Sequence, residues 1–265
     1  MPRPGSATNS VLRDFCLALG FLTIVPAGAG ATQPGDLGRA AGWFPVVGLL
    51  LGLALSGAQW LLLRLFPPLL AGGLVVALWA ALTGGLHLDG LADCGDGLWA
   101  SATPERRLEI MRDSRMGAFG GLQLGLFLIL KVLAAGSLPA AVFFSAPLSL
   151  AQPLVGLPLV TATVCARWLM LPLGRQRGAR PGGLGADFAL GLRPAVLIAG
   201  AVVLLAVIAL GGERALAAVI AAHVVAWLIW LVARRRLGGV TGDVLGLTVE
   251  LSELAVLLVY AARPA

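Results

Sequence analysis

P-A-V-L-I-A-G-A-V-V-L-L-A-V-I-A-L-G, Pro194 to Gly211, contains no charged or hydrogen-bonding side chain. Coiled as an α-helix it reaches about 27 Å, close to the ~30 Å hydrocarbon thickness of a bilayer, and a helix satisfies its own backbone there. Comparable apolar stretches run from Ala40 to Phe66, Leu69 to Leu88, Gly117 to Leu138, Ala215 to Val232 and Val244 to Ala262. Pro139 to Leu173 is apolar too, but Pro147, Pro153, Pro158 and Pro172 interrupt it, so it reads as one kinked helix or two shorter ones. The whole chain agrees: 265 residues, 58% hydrophobic and 12% charged, with a mean hydropathy of +0.93. The fold expected is all-α, a polytopic transmembrane helix bundle of roughly six to eight segments. Residues 1–265 form a single integral membrane domain, with no room for a separate soluble one.

The beginning needs its own reading. Arg3 and Arg13, the apolar run Phe15 to Val25 and the small residues Ala27 to Ala31 imitate a signal peptide. Asp14 speaks against cleavage, and a retained short or half-inserted helix ending at Pro26 is preferred.

The net charge of +6 comes from arginines in short loops, Lys131 being the single lysine. An odd number of crossings in the Pro-rich stretch puts Arg39, Arg106, Arg107, Arg112, Arg115, Arg175, Arg177, Arg180, Arg193 and Arg234 to Arg236 on one side. The positive-inside rule makes that side, and the N-terminus, cytoplasmic. No recognised motif or aromatic-interleaved basic stripe accompanies the charge, so nucleic acid is not an expected partner; the lipid bilayer is. Oligomeric state is left open. Cys16, Cys94 and Cys165 form no C-x-x-C pair and suggest neither zinc nor a disulfide framework. The 36 glycines serve close helix packing in lipid.

Against this background acids stand out. Thr83 to Ala100, T-G-G-L-H-L-D-G-L-A-D-C-G-D-G-L-W-A, begins inside an apolar span and runs to its cytoplasmic end. On a continuing helix Asp89, Asp93 and Asp96 share one face, beside His87. Stacked carboxylates repel at low dielectric, and a cation removes the penalty; with a phosphate substrate the hard oxygen ligands suit Mg2+. Thr103 to Gly120, T-P-E-R-R-L-E-I-M-R-D-S-R-M-G-A-F-G, reads as a short helix with Thr103 as N-cap and Pro104 at its first position, its apolar edge at Leu108 and Met111 laid on the membrane. Glu105, Arg106 and Arg107 read equally as a solvated face. Arg112, Asp113, Ser114 and Arg115 are candidate phosphate-binding residues, with Asp113 a fourth carboxylate for the metal set Asp89, Asp93, Asp96 and Asp113. Residues 87–116 together make the expected catalytic cytoplasmic loop. In Gly238 to Glu253, G-G-V-T-G-D-V-L-G-L-T-V-E-L-S-E, Asp243, Glu250 and Glu253 are further binding candidates. Acids at the depth of Glu250 and Glu253 face either a cavity or a buried partner such as an arginine. His223 reads as a packed core residue.

G-G-L-H-L-D-G-L-A-D-C-G-D-G (84–97), E-I-M-R-D-S-R-M-G-A-F-G (109–120) and G-G-V-T-G-D-V-L-G with Glu250 and Glu253 resemble the adenosylcobinamide-GDP ribazoletransferase (cobalamin synthase) family. L-G-F-L-T-I-V-P (19–26) and G-W-F-P-V-V-G-L-L-L-G (42–52) also look like it. The resemblance implies a Mg2+-dependent enzyme of the cell inner membrane, multi-pass, with its active site facing the cytoplasm. It implies that adenosylcobinamide-GDP is joined to α-ribazole or its 5′-phosphate with release of GMP. A ribose hydroxyl then attacks one phosphorus of a pyrophosphate, which asks for in-line positioning and charge neutralisation. Asp89, Asp93 and Asp96 would hold Mg2+, Arg112 and Arg115 the phosphate oxygens, and His87 or one of the aspartates would take the hydroxyl proton. Two other readings stay open. A CDP-alcohol phosphotransferase also sets a D-G-rich motif at a membrane border, but expects Ala-Arg after the first Asp-Gly, where Leu91-Ala92-Asp93 stands. A cation-coupled transporter would place its acids near the bilayer midplane.

Overall fold

The computed structural model describes residues 6–28, 30, 32–138, 157–180, 182 and 184–262. Eleven α-helices account for most of them: α1 (Ser6–Leu22), α2 (Asp36–Ala40), α3 (Phe44–Leu65), α4 (Pro68–Leu82), α5 (Leu86–Trp99), α6 (Pro104–Ile110), α7 (Ala118–Gly136), α8 (Pro158–Gly174), α9 (Leu184–Gly191), α10 (Pro194–Leu237) and α11 (Gly242–Ala261). The only extended pairing among the described residues is a parallel bridge between Gly178 and Val240. Among the described residues four segments are long and apolar enough to cross a bilayer: Asp36–Leu65, Ala118–Gly136, Pro194–Leu237 and Gly242–Ala261. The pair α4–α5 is apolar enough only when taken together, and it is bent by 94° at the break. Of the Pro-rich stretch, residues 157–173 belong to the loop before α8 and to α8 itself, while 139–156 lie outside the described residues.

α8 sits at the centre of the bundle, with nearly all of its residues buried. α3 crosses it at glycines: a Cβ on Gly52 would fall 2.6 Å from the Val160 Cα, and one on Gly48 2.6 Å from the Thr163 carbonyl oxygen. In lipid such close approach, not hydrophobic expulsion from water, holds helices together.

α10 is two helices. Gly212 has φ 63° and ψ −153°, a conformation essentially confined to glycine. A Cβ on Gly200 would lie 3.3 Å from the Trp168 ring, and His223 lies against that same ring at 5.3 Å between centroids. On a straight helix those two positions would be about 34 Å apart, so the chain folds back at Gly212. The boundary matches the two separate spans expected from sequence. His223 is a packed residue, its Nδ1 2.7 Å from the Val219 carbonyl oxygen.

The basic loops meet at one end of the bundle. Arg180 donates to the Leu108 carbonyl, Arg236 to that of Leu98, and Gly38 beside Arg39 abuts Gly191. Arg214 lies at the other end, donating to the Ala262 carbonyl.

Candidate active site

The site is built where α5 crosses the N-terminal ends of α7 and α11. Thr83 closes α4 by hydrogen-bonding back to the Trp79 carbonyl. Gly84 and Gly85 then take φ 62° and 70°, which only glycine adopts at little cost, and turn the chain through the 94° bend. The stretch expected as a loop over 87–116 is therefore largely helical, α5 and α6 joined by turns. α5, 14 residues long with three aspartates, is too short and too acidic to span by itself.

Glycines bring α5 into register with its neighbours. A Cβ on Gly90 would fall 2.9 Å from the Asp243 Cα, and one on Gly95 2.9 Å from the Gly120 Cα. Asp89 and Asp243 thereby come to line one cavity, near enough to Asp93 for their charges to act on it. Burial, and then the charges of Asp89, Asp243 and Asp96, push the Asp93 carboxyl up to about 7. Arg180 supplies the nearby positive charge, its Nη2 3.8 Å from Asp243.

The expected metal set is not assembled as a unit, and no three His, Cys, Asp or Glu side chains among the described residues converge on one point. Asp96 accepts from the backbone N–H groups of Gly117 (2.7 Å) and Gly120 (2.8 Å), capping α7 from the outside. Asp113 is exposed and bound to Arg115, which holds its carboxyl at about 2. Ser114 and Arg112 are exposed beside them, and the Arg112 charge reaches Asp243 and Arg180. What the fold brings near one another instead is Asp89, Asp93 and Asp243, within reach of each other's charge but not closed into a three-carboxylate ligand set. Mg2+ asks for only one or two carboxylates plus substrate oxygens, and these crowded acids fit that demand.

α6 begins as its sequence predicts, with the Thr103 hydroxyl accepting from the Arg106 N–H and Pro104 in its first turn. Its apolar edge differs from expectation. Met111 is buried against Gly97 of α5 instead of lying on the membrane. Arg107 is buried too, donating to the carbonyls of Ala102, Gly97 and Leu98 at the end of α5.

Glu250 and Glu253 do not face this site. Lys131 Nζ lies 2.6 Å from a carboxylate oxygen of each, Arg167 pairs with the other oxygen of Glu253, and all four side chains are at most 4% exposed. Of their two sequence readings, the structure shows the buried partner. Trp79 covers the lysine, its ring centroid 4.1 Å from Nζ. The signal was available: the single lysine falls in the middle of an apolar span. Arg180, in contrast, looks like any of the loop arginines until the Gly178–Val240 bridge sets it beside Asp243.

Next to the acids a cavity of about 170 Å³ opens between α5, α8, α9, α11 and the N-terminal helices. His87, Asp89 and Asp243 line it, with Phe21, Leu37, Met170, Phe188 and Leu245 forming its apolar walls. His87 is 2% exposed. Neither of its ring nitrogens has a hydrogen-bond partner among the described residues.

Residues 14–261 match the family model described as cobalamin-5-phosphate synthase. The chain belongs to that family. Among curated relatives, the adenosylcobinamide-GDP ribazoletransferase of Klebsiella pneumoniae strain 342 is 40% identical over 255 residues, 94% of this chain and 99% of the relative. Those of Desulfitobacterium hafniense strain Y51 and Bradyrhizobium diazoefficiens strain JCM 10833 are each 37% identical. They cover 93% and 98% of this chain, and 96% and 97% of their own length. No solved structure matches. As a cobalamin-5-phosphate synthase family member, the chain sets its acidic motifs at one end of an apolar bundle, with the D-G-rich helix lying across it.

Proposed function

We propose that this membrane protein transfers the phosphocobinamide part of adenosylcobinamide-GDP to the ribose hydroxyl of α-ribazole or its 5′-phosphate and releases GMP. The observation that carries the reading is the meeting of Asp89, Asp93 and Asp243 with Arg180 beside an apolar cavity, in a chain of this family. A diphosphate donor brings its own negative charge to a site already rich in carboxylates, so the site works only with added positive charge. One or two carboxylates drawn from Asp89, Asp93 and Asp243 would hold Mg2+, which when bound would neutralise the diphosphate and the leaving phosphate.

The chain's own groups supply the rest. Arg180 and Arg112 grip diphosphate oxygens, and Arg115, now paired with Asp113, is within the same loop. The attacking hydroxyl loses its proton to one of the carboxylates on the α5 face. Asp96 fixes the start of α7 against α5 and acts by position, not by contact with substrate. The positive-inside rule supports a cytoplasmic site and N-terminus in the inner membrane, since the basic loops share the end of the bundle that carries the acids.

The test is GMP release by the detergent-purified protein supplied with adenosylcobinamide-GDP and α-ribazole 5′-phosphate, with and without Mg2+. Release that needs both the metal and the ribazole is the expected result. A folded preparation that releases no GMP, or releases it without ribazole, overturns the proposal.

A further inference from the structure

The cavity beside the acids has a composition the phosphate chemistry does not call for. Its walls are apolar and partly aromatic, Phe188 stacking on Phe44 at 5.8 Å between centroids, and Phe44 in turn on Phe21 at 5.7 Å. Into these walls is set His87, whose two ring nitrogens have no partner among the described residues although the residue is 2% exposed. An imidazole buried without a hydrogen bond carries an uncompensated desolvation cost, and folded proteins leave such groups unpaired mainly where something else completes them. Apolar cavities of about 150 Å³ accept a single aromatic ring, so 170 Å³ suits a small ring system.

We infer that this cavity is the base pocket of the acceptor nucleoside, taking a planar, largely apolar heteroaromatic base whose free ring nitrogen hydrogen-bonds His87. The inference rests on the transferase reading for the identity of the acceptor. It makes His87 a substrate-binding residue and leaves proton removal to the carboxylates. The geometry is economical: Asp89 and Asp243 line the same cavity, so a base seated in it holds its attached ribose next to the acids. The apolar walls would also discriminate against purines and pyrimidines, whose several exocyclic polar groups would find one partner between them.

Gly185 offers a test that spares the fold. It lines the cavity, and a Cβ placed on it meets no atom within 4 Å, so Gly185→Leu adds bulk at the cavity wall without a backbone clash. Binding of radiolabelled α-ribazole to the full-length protein in detergent, without donor, is measured for wild type, Gly185→Leu and His87→Phe, along with competition by free benzimidazole. Both variants should weaken α-ribazole binding roughly tenfold or more. In wild type benzimidazole should compete, while the KM for adenosylcobinamide-GDP changes less than about twofold in either variant. Unchanged α-ribazole affinity in both variants, or a loss confined to the donor, overturns the inference. Wild-type protein that binds α-ribazole through this cavity yet releases no GMP would sink the transferase reading and leave the pocket standing.

Discussion

Two groups of charge in this bundle differ in sum. Lys131, Arg167, Glu250 and Glu253 balance, two of each sign, and each carboxylate has a cation in contact. Asp89, Asp93, Asp96 and Asp243 do not balance; Arg180 is the nearest positive charge and stands 3.8 Å from one of them. In an apolar medium a balanced cluster is a fastening, because separating it strands charges far from water. An unbalanced one is an invitation to a ligand of opposite sign. The comparison separates acids that hold helices together from acids that do chemistry, although both arise in helices of similar composition.

The difference is breakable by substitution. Glu253→Gln leaves Lys131 and Arg167 under-compensated and should cost about 3–5 kcal/mol, seen as a large fall in the thermal unfolding midpoint in detergent, with or without substrate. A Glu253→Gln protein as stable as wild type would show that the balanced cluster is not a fastening. Asp93→Asn should reverse the pattern: GMP release falls about 100-fold or more, while the metal-free unfolding midpoint stays or rises because a repulsion is gone. Activity that survives Asp93→Asn removes this residue from the reacting group. Asp96→Ala should fall between, losing about 1 kcal/mol as the N–H groups at the start of α7 lose their acceptor, with a smaller activity loss that tracks the displacement of α5. Arg106→Ala, at an exposed pair with Glu109, should change neither stability nor KM measurably.

How much of this was legible follows from the range of each interaction. Most apolar spans were legible because length and apolarity are local properties, and the break at Gly212 fell between the two apolar runs around it; the expected span Leu69 to Leu88 was not, since Gly84 and Gly85 turn the chain after Leu82. The α6 cap was legible because Thr103 and Pro104 act within one turn. The burial of Met111 and Arg107 was not: it depends on Gly97 of a different helix leaving room for them. Asp89, Asp93 and Asp96 were readable as one helical face, but nothing in their spacing says that Asp96 would be spent on the backbone of α7. Asp243 lies 150 residues after Asp93 and joins it only because Gly90 lets α11 approach α5 so closely.

The sequence by itself determined that this chain lives in lipid, which end of it is basic, and which few motifs carry acids, because composition and short-range spacing are sufficient for all three. Only the tertiary structure decided which acids act together. Glu250 and Glu253 met Lys131 and Arg167 across three helices, Asp243 met Asp89 and Asp93 across two, and His87 was enclosed beside an apolar cavity. Electrostatic partnership depends on distance in space, and in a bundle that distance is set by where small residues let helices touch.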